Sequence, residues 1–222
     1  LYIRPTIIAT DPFLGVRPSQ RYLMYIILSS VAAYYPEGFN PIKIMASDKY
    51  VRAALGGVGE AKTGGNYAAS LMAQMEAQRA GFTQVLWLDA KDHRYVEEVG
   101  TMTIFFVIGD KVITSPLTGT ILPGVTRDSV LRLLDEWGIS VEQRRLAIDE
   151  VIAAAQDGTL REVFGSGTAA VISPVAQIHH GETYQVADGK TGRLSQRLYD
   201  HIFAIQYGKK VDPHGWVERI DV

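Results

Sequence analysis

The chain has 222 residues, a formal net charge of −2 and close to half apolar residues. That is enough to bury a substantial core, with none of the basic excess of a nucleic-acid or membrane-surface binder. It contains no cysteine, which excludes disulfide staples and thiolate metal sites and suits a reducing compartment. The longest apolar run, Tyr22–Tyr35, is broken by serines and falls short of a membrane span. No signal-peptide pattern opens the chain, so a cytoplasmic location with no membrane or nucleic-acid partner is expected.

The chain opens at Leu1 in an apolar, β-branched stretch, Tyr2-Ile-Arg-Pro-Thr-Ile-Ile, which reads as a strand with a further segment expected upstream. Tyr22–Tyr35 reads as a second strand, followed by a Pro36-Glu-Gly38 turn and a strand over Ile42–Ala46. After a glycine-rich stretch, Gly56–Gly65, the spacing of Tyr67, Leu71, Met72 and Met75 predicts a helix that Gly81 closes. Strands follow at Val85–Leu88, Tyr95–Val99 and Thr103–Ile108, with Gly109-Asp110 turning into Lys111–Thr114.

Leu122-Pro-Gly-Val-Thr then leads into an amphipathic helix with Val125, Leu131, Leu134 and Trp137 on its apolar face and Gly138 at its end. A helix is predicted over Asp149–Gln156 with Asp149 as N-cap, then strands Arg161–Phe164 and Ala169–Ser173 around a loop Gly165-Ser-Gly-Thr168. A hairpin at His180-Gly-Glu182 and a helix from Gly192 to Tyr207 complete the chain. Strands and helices mix without regular βαβ alternation, which predicts an α+β or mixed-barrel domain.

Two short motifs fail on their chemistry. Gly56-Gly-Val-Gly-Glu-Ala-Lys62-Thr63 approaches a phosphate-binding P-loop, and Val-Leu-Trp-Leu-Asp89 resembles the strand that presents a magnesium-binding aspartate. Ala61 stands where the P-loop needs a glycine to wrap a phosphate. Gly165-Ser-Gly-Thr-Ala-Ala170 matches a dinucleotide fingerprint, but the next residues, Val171-Ile-Ser-Pro174, read as strand where the fingerprint must open a helix.

A third set is coherent. Pyridoxal 5′-phosphate (PLP) chemistry needs a lysine, a carboxylate near the pyridine nitrogen, a hydroxyl near the phenolic oxygen and an anion site for the phosphate. Lys62, Glu98, Tyr67 and the helix start at Gly124-Val-Thr126 offer each in turn, although eight lysines are present and a lysine is ordinarily a solvated surface charge.

The segments Ala61-Lys-Thr-Gly-Gly-Asn-Tyr67, Gln84-Val-Leu-Trp-Leu-Asp89, Glu98-Val-Gly-Thr-Met102, Ile121-Leu-Pro-Gly-Val-Thr-Arg127 and Phe164-Gly-Ser-Gly-Thr-Ala169 together resemble the branched-chain amino-acid aminotransferases. These are class IV, fold-type IV PLP enzymes, and Leu1-Tyr-Ile-Arg-Pro5 and Ile205-Gln-Tyr-Gly208 fit as well. The resemblance implies a mixed β pseudo-barrel flanked by helices, like the large domain of D-amino-acid aminotransferase. Residues 1–20 would be an interdomain strand and loop, 21–222 the PLP-binding domain.

Residue by residue, it implies that Lys62 bonds the cofactor and moves the substrate α-proton, with Glu98 at the pyridine nitrogen and Tyr67 at the phenolic oxygen. Val125, Thr126 and Thr168 would hold the phosphate. Thr101 and Ala169 would lie toward the substrate, whose carboxylate Tyr2 and Arg4 would recognise. Leu14 and Val16 would reach the partner subunit's pocket, making a homodimer with shared active sites. Strand alternation lets only one of Glu97 and Glu98 face the ring, and the resemblance selects Glu98, leaving Glu97 expected on a solvated face.

The implied reaction is transamination of leucine, isoleucine and valine with 2-oxoglutarate. The alternatives are another class IV activity, D-amino-acid transaminase or aminodeoxychorismate lyase, or a catalytically incomplete fragment. Ala170 and Ser173 stand where mammalian members carry a redox Cys-x-x-Cys, and the five histidines show no metal-ligand spacing. The family's N-terminal small domain, with its phosphate-binding arginine, has no counterpart in these residues, so this chain alone is expected not to turn over substrate.

Overall fold

The computed structural model describes residues 1–30 and 39–220. Two compact units form, Leu1–Pro36 and Glu37–Val222.

The first unit is a hairpin of β1 (Tyr2–Ala9) and β2 (Tyr22–Ser29), paired antiparallel from Tyr2↔Ser29 to Ala9↔Tyr22. The expected strand thus runs to Ser29. The rest of Tyr22–Tyr35 beyond Ser30, and the Pro36-Glu-Gly38 turn, lie outside the described residues.

The second unit is built on β3 (Ile42–Ala46), β4 (Gln84–Leu88), β5 (Val96–Val99), β6 (Met102–Ile108), β7 (Lys111–Thr114), β8 (Val141–Gln143), β9 (Leu160–Gly167), β10 (Val171–His180) and β11 (Glu182–Gln185). Six of these close a ring in the order β10-β3-β4-β5-β6-β9, with β9 pairing back to β10. Strand β11 extends the ring beside β10, and β7 and β8 extend it beside β6. Parallel pairs (β10–β3, β3–β4, β7–β8) mix with antiparallel ones. This is the expected mixed α+β barrel; closure removes the edges that an open sheet would leave.

Among the described residues four helices pack around it: α1 (Gly64–Arg79), α2 (Val125–Glu136), α3 (Ile148–Gln156) and α4 (Arg193–Gln206). Val130, Leu133 and Leu134 of α2 and Leu198 and Ile202 of α4 bury against Phe105 and Phe164, whose rings stack 5.1 Å apart. Helix α1 closes on β4 through Ala73 and Ala77 against Val85 and Trp87.

The structure corrects several sequence expectations. The apolar spacing of Tyr67, Leu71, Met72 and Met75 marks a real helix, but those side chains are exposed. The face that packs carries small alanines, which let helix and sheet approach closely, a requirement that hydrophobic size does not signal. Val125 is likewise exposed at the first turn of α2. Helix α3 takes Ala147 as N-cap, and Asp149 sits inside the first turn. Gly165–Gly167 continue β9 as strand, so the connection to β10 is the shorter 168–170. Strand β8 has three residues, too few for a period to show.

Candidate active site

The loop before α1 crosses close to other backbone. A Cβ on Gly59 would lie 2.6 Å from both the Ala53 Cβ and the Thr120 carbonyl oxygen, so only glycine fits there. The Asn66 amide donates to the Val58 and Ala61 carbonyls at 2.7 and 2.9 Å, folding the loop onto the start of α1. That places Lys62 one residue ahead of the N-cap, Thr63, with its Nζ exposed and 3.1 Å from the Tyr67 hydroxyl. Tyr67 in turn lines a cleft with Arg52, Asn66, Glu98, Thr101 and Leu122.

Glu98 forms the acidic wall of that cleft. Its carboxylate is almost fully buried, with Oε2 2.6 Å from Arg52 Nε. Burial pushes its pKa up to about 7; Arg52 pulls the other way, and the charge of Glu97 adds to the rise. The Arg52 cation offsets only part of the cost of that burial.

Glu97 points to the opposite face of β5 but is not solvated, which corrects the expectation. It is 7% exposed and accepts the Thr120 hydroxyl at 2.6 Å, beneath the loop that follows β7. Burial raises its pKa too, against the Thr120 bond and Arg52.

Cross-strand pairing places Glu98 opposite Thr103 and Thr103 opposite Ser166, so the three share a face across β5, β6 and β9. It is the face of Phe105 and Phe164, which α2 covers. Helix α2 begins at this row: a Cβ on Gly124, its N-cap, would sit 3.8 Å from Thr103 Oγ1. No side chain caps α2, and none of the described residues accepts from the Val125 and Thr126 N–H groups. Ser166 Oγ is buried without a hydrogen-bond partner.

Thr168 and Ala169 are exposed in the turn that leaves β9. Val171, which follows, holds φ +58, a strained value for a β-branched residue. Gly100, at φ +57, presents Thr101 from the β5–β6 turn, its carbonyl accepting from Trp87 Nε1 at 2.8 Å.

In the first unit the Arg4 guanidinium donates to the Tyr2 hydroxyl at 3.0 Å, so the two residues expected to act together do touch. Leu14 and Val16 are fully exposed on the loop between β1 and β2.

Asp89 accepts the N–H groups of Asp92, Arg94 and Tyr95. Burial pushes its carboxyl up, but those bonds more than offset this and hold it below the usual carboxylate range. Among the described residues no cluster of histidine and acidic side chains could hold a metal ion.

Sequence reasoning brought out Lys62, Tyr67, Glu98 and Thr101, which the fold gathers at or beside one cleft, and missed Arg52, Asn66 and Thr120. Asn66 lay within a quoted motif. Arg52 and Thr120 are 68 positions apart and carry no local signal.

The amino-transferase class IV model matches residues 1–178. The chain is 53% identical over 221 residues to branched-chain-amino-acid aminotransferase 2 of Bacillus subtilis, covering 99% of this chain and 61% of that protein. It is 49% identical to the branched-chain-amino-acid aminotransferase of Mycobacterium tuberculosis, again over 99% of this chain and 61% of the relative. The chain thus spans about three fifths of the length of these relatives. Among solved structures, the Escherichia coli branched-chain amino acid aminotransferase superposes with a TM-score of 0.86 at 32% identity, covering 99% of this chain and 70% of that one. A T.th. branched-chain amino acid aminotransferase with pyridoxamine 5′-phosphate superposes with a TM-score of 0.80 at 29% identity, over 96% and 68% of the two chains.

Proposed function

We propose, for a chain that belongs to the amino-transferase class IV family, that it carries the PLP-binding part of a transaminase acting on leucine, isoleucine and valine with 2-oxoglutarate. The observation that carries this reading is the meeting of Lys62 Nζ and the Tyr67 hydroxyl, 3.1 Å apart, beside a cleft walled by the buried Glu98. The uncapped start of α2 and the orphaned Ser166 hydroxyl fit the phosphate end of the cofactor, and Glu98 fits its pyridine end. PLP, when bound, supplies the electron sink that lets the substrate Cα–H bond break.

The chain's own residues then have separable tasks. Lys62 Nζ would hold the cofactor and, as a free amine, would take and return the substrate α-proton as a base. Tyr67 donates or accepts at the phenolic oxygen and restrains Lys62 through their mutual contact. Glu98 answers the pyridine N–H with negative charge in a site where burial makes that charge count. The Val125 and Thr126 N–H groups and the Thr168 hydroxyl would hold the phosphate. Thr101 and Ala169 border the substrate, and the Arg4–Tyr2 pair presents a fork suited to a carboxylate.

Residues 21–222 are read as the PLP-binding domain and residues 1–20 as an interdomain strand and loop; the cleft lies in the compact unit Glu37–Val222. The working enzyme is a cytoplasmic homodimer, in which Leu14 and Val16 reach the partner's pocket.

The test is chemical. Borohydride reduction of the PLP-loaded protein should fix cofactor on the peptide containing Lys62, and Lys62→Ala should abolish that adduct while leaving the fold intact by circular dichroism. Trapping on any of the other lysines overturns the assignment. A panel of leucine, D-alanine and aminodeoxychorismate then separates the three class IV activities.

A further inference from the structure

Behind Lys62 and Glu98 lies a buried cation that the proposed chemistry does not use. The Arg52 side chain is 9% exposed, with Nε 2.6 Å from Glu98 Oε2. Its Nη2 donates to two carbonyls, that of Gly59 at 3.1 Å and that of Thr120 in a short contact. Gly59 lies three residues before Lys62, in the loop pressed against Thr120. The Thr120 hydroxyl donates to Glu97 Oε1 at 2.6 Å, so the loop after β7 is itself fastened to β5.

We propose that Arg52 is a positioning residue: one guanidinium fixes the Glu98 carboxylate and ties the Lys62 loop to the Thr120 loop, with the Thr120–Glu97 bond as the anchor behind it. The inference rests on the reading of Lys62 and Glu98 as the two ends of a cofactor site. It adds that their separation is set by Arg52, which touches neither cofactor nor substrate.

The argument is one of valence and shape. A guanidinium is a rigid planar fork of five N–H donors; here Nη2 donates to two carbonyls from different segments, while Nε makes an ion pair with the Glu98 carboxylate without a hydrogen bond. A lysine ammonium carries the same charge, but on a flexible stem and without the fork. In the cleft Glu98 lies with Arg52 and Tyr67, with Lys62 beyond Tyr67, while Glu97 on the other face of β5 acts on it through its charge. Of the two groups that shift it electrostatically, Arg52 favours the ionised form and Glu97 opposes it. Arg52 therefore governs both where Glu98 sits and how readily it ionises, and the same side chain governs the path of the loop that delivers Lys62.

Both consequences are measurable without cofactor. With the full chain labelled at the glutamate Cδ carbons, the Glu98 resonance is identified by its loss in Glu98→Gln and titrated in wild type, Arg52→Gln and Arg52→Lys. Amide exchange across residues 56–62 is followed in the same proteins. The expected result is a Glu98 midpoint raised by about one pH unit or more in Arg52→Gln and largely restored in Arg52→Lys, because charge survives there. Exchange across 56–62 should quicken about tenfold or more in both variants, because neither keeps the fork.

A role confined to packing would loosen the loop without moving Glu98, and that outcome overturns the proposal. So does an unmoved loop with a shifted Glu98. If Arg52→Gln does not fold, Arg52→Lys decides alone: quickened exchange confined to 56–62 at an unchanged melting temperature supports the proposal, and unchanged exchange overturns it. Borohydride trapping on wild type separates the two readings. Its failure at Lys62 removes the assigned cofactor while the Glu98 and loop responses stand as measured.

Discussion

Two places in the barrel unit combine the same two parts, the start of a helix and a buried or half-buried carboxylate. They differ in whether the parts meet. At α4, Glu162 reaches from β9 and accepts the N–H groups of Leu194 and Ser195 and the Ser195 hydroxyl, each at 2.9 Å. A Cβ on Gly192 would overlap the Glu162 carboxyl group, so the helix start is built around that anion. At the candidate active site the start of α2 has no such anion, and Glu98 faces a different group, Arg52, with its pKa still pushed up. One place is satisfied from within. The other leaves an uncapped helix start and a buried carboxylate apart on one sheet face, a polarity that a ligand with a protonated ring nitrogen and a phosphate would match.

The largest expected effect comes from the carboxylate whose cationic partner, Arg52, does not offset its burial. In the window from the ordinary glutamate value of 4.5 up to about 7, the folded chain keeps a proton on Glu98 that the unfolded chain has lost. Folding stability should therefore fall as pH rises through that window, by on the order of 3 kcal/mol at its upper end. Glu98→Gln removes this dependence, so in urea unfolding the variant should match wild type near pH 5 and exceed it near pH 8. Glu97→Gln should act in the same direction by less, since Thr120 already donates to Glu97. A gap between wild type and Glu98→Gln that is constant from pH 5 to pH 8 would mean that Glu98 is already satisfied in the folded chain, and the comparison would fail.

At the satisfied end the sign is opposite. Glu162→Gln keeps one acceptor oxygen, best placed where Oε2 takes both Ser195 donors, and sets its NH2 against the Leu194 N–H at the start of α4. The expected loss is about 2 kcal/mol, the range for hydrogen bonds to a charged group. PLP affinity should not change. Equal loss of stability and of cofactor binding would show that the two helix starts are not independent.

How legible this contrast was in the sequence depends on distance along the chain. The barrel strands showed through short apolar, β-branched runs between turn residues, and the helices through spacing and closing glycines such as Gly81 and Gly138. Strand β8 did not, because three residues hold no period. Helix α1 was visible, yet its packed face was not: Ala73 and Ala77 bury while Leu71 and Met75 stay exposed, so hydrophobicity pointed the wrong way. Alternation could say that Glu97 and Glu98 face apart, but not that both are buried, because the cover over Glu97 comes from Thr120, more than twenty residues away. Arg52 was illegible for the same reason. Its partners are Gly59, Glu98 and Thr120, and only folding brings them together.

The smallest effect discriminates best, because stability and binding should move in opposite directions. Gly124 is the N-cap of α2 at φ −70 and ψ 135, an extended conformation open to any residue. A Cβ there would meet nothing closer than 3.7 Å. Gly124→Asp therefore introduces, without strain, the kind of acceptor that Glu162 provides at α4. An aspartate N-cap can accept from the second or third helical N–H, here Thr126 or Arg127, and should raise helix stability by a few tenths of a kcal/mol. If the start of α2 is where phosphate binds, the new carboxylate competes for the same donors and repels the ligand, weakening PLP binding about tenfold, or roughly 1.4 kcal/mol. Pyridoxal, which lacks the phosphate, should bind the variant and wild type alike. A Gly124→Asp protein that melts slightly higher, holds PLP less tightly and keeps its affinity for pyridoxal would place the phosphate at the start of α2. A protein that loses affinity for both ligands equally would place the damage elsewhere in the cleft and remove α2 from the account of cofactor binding.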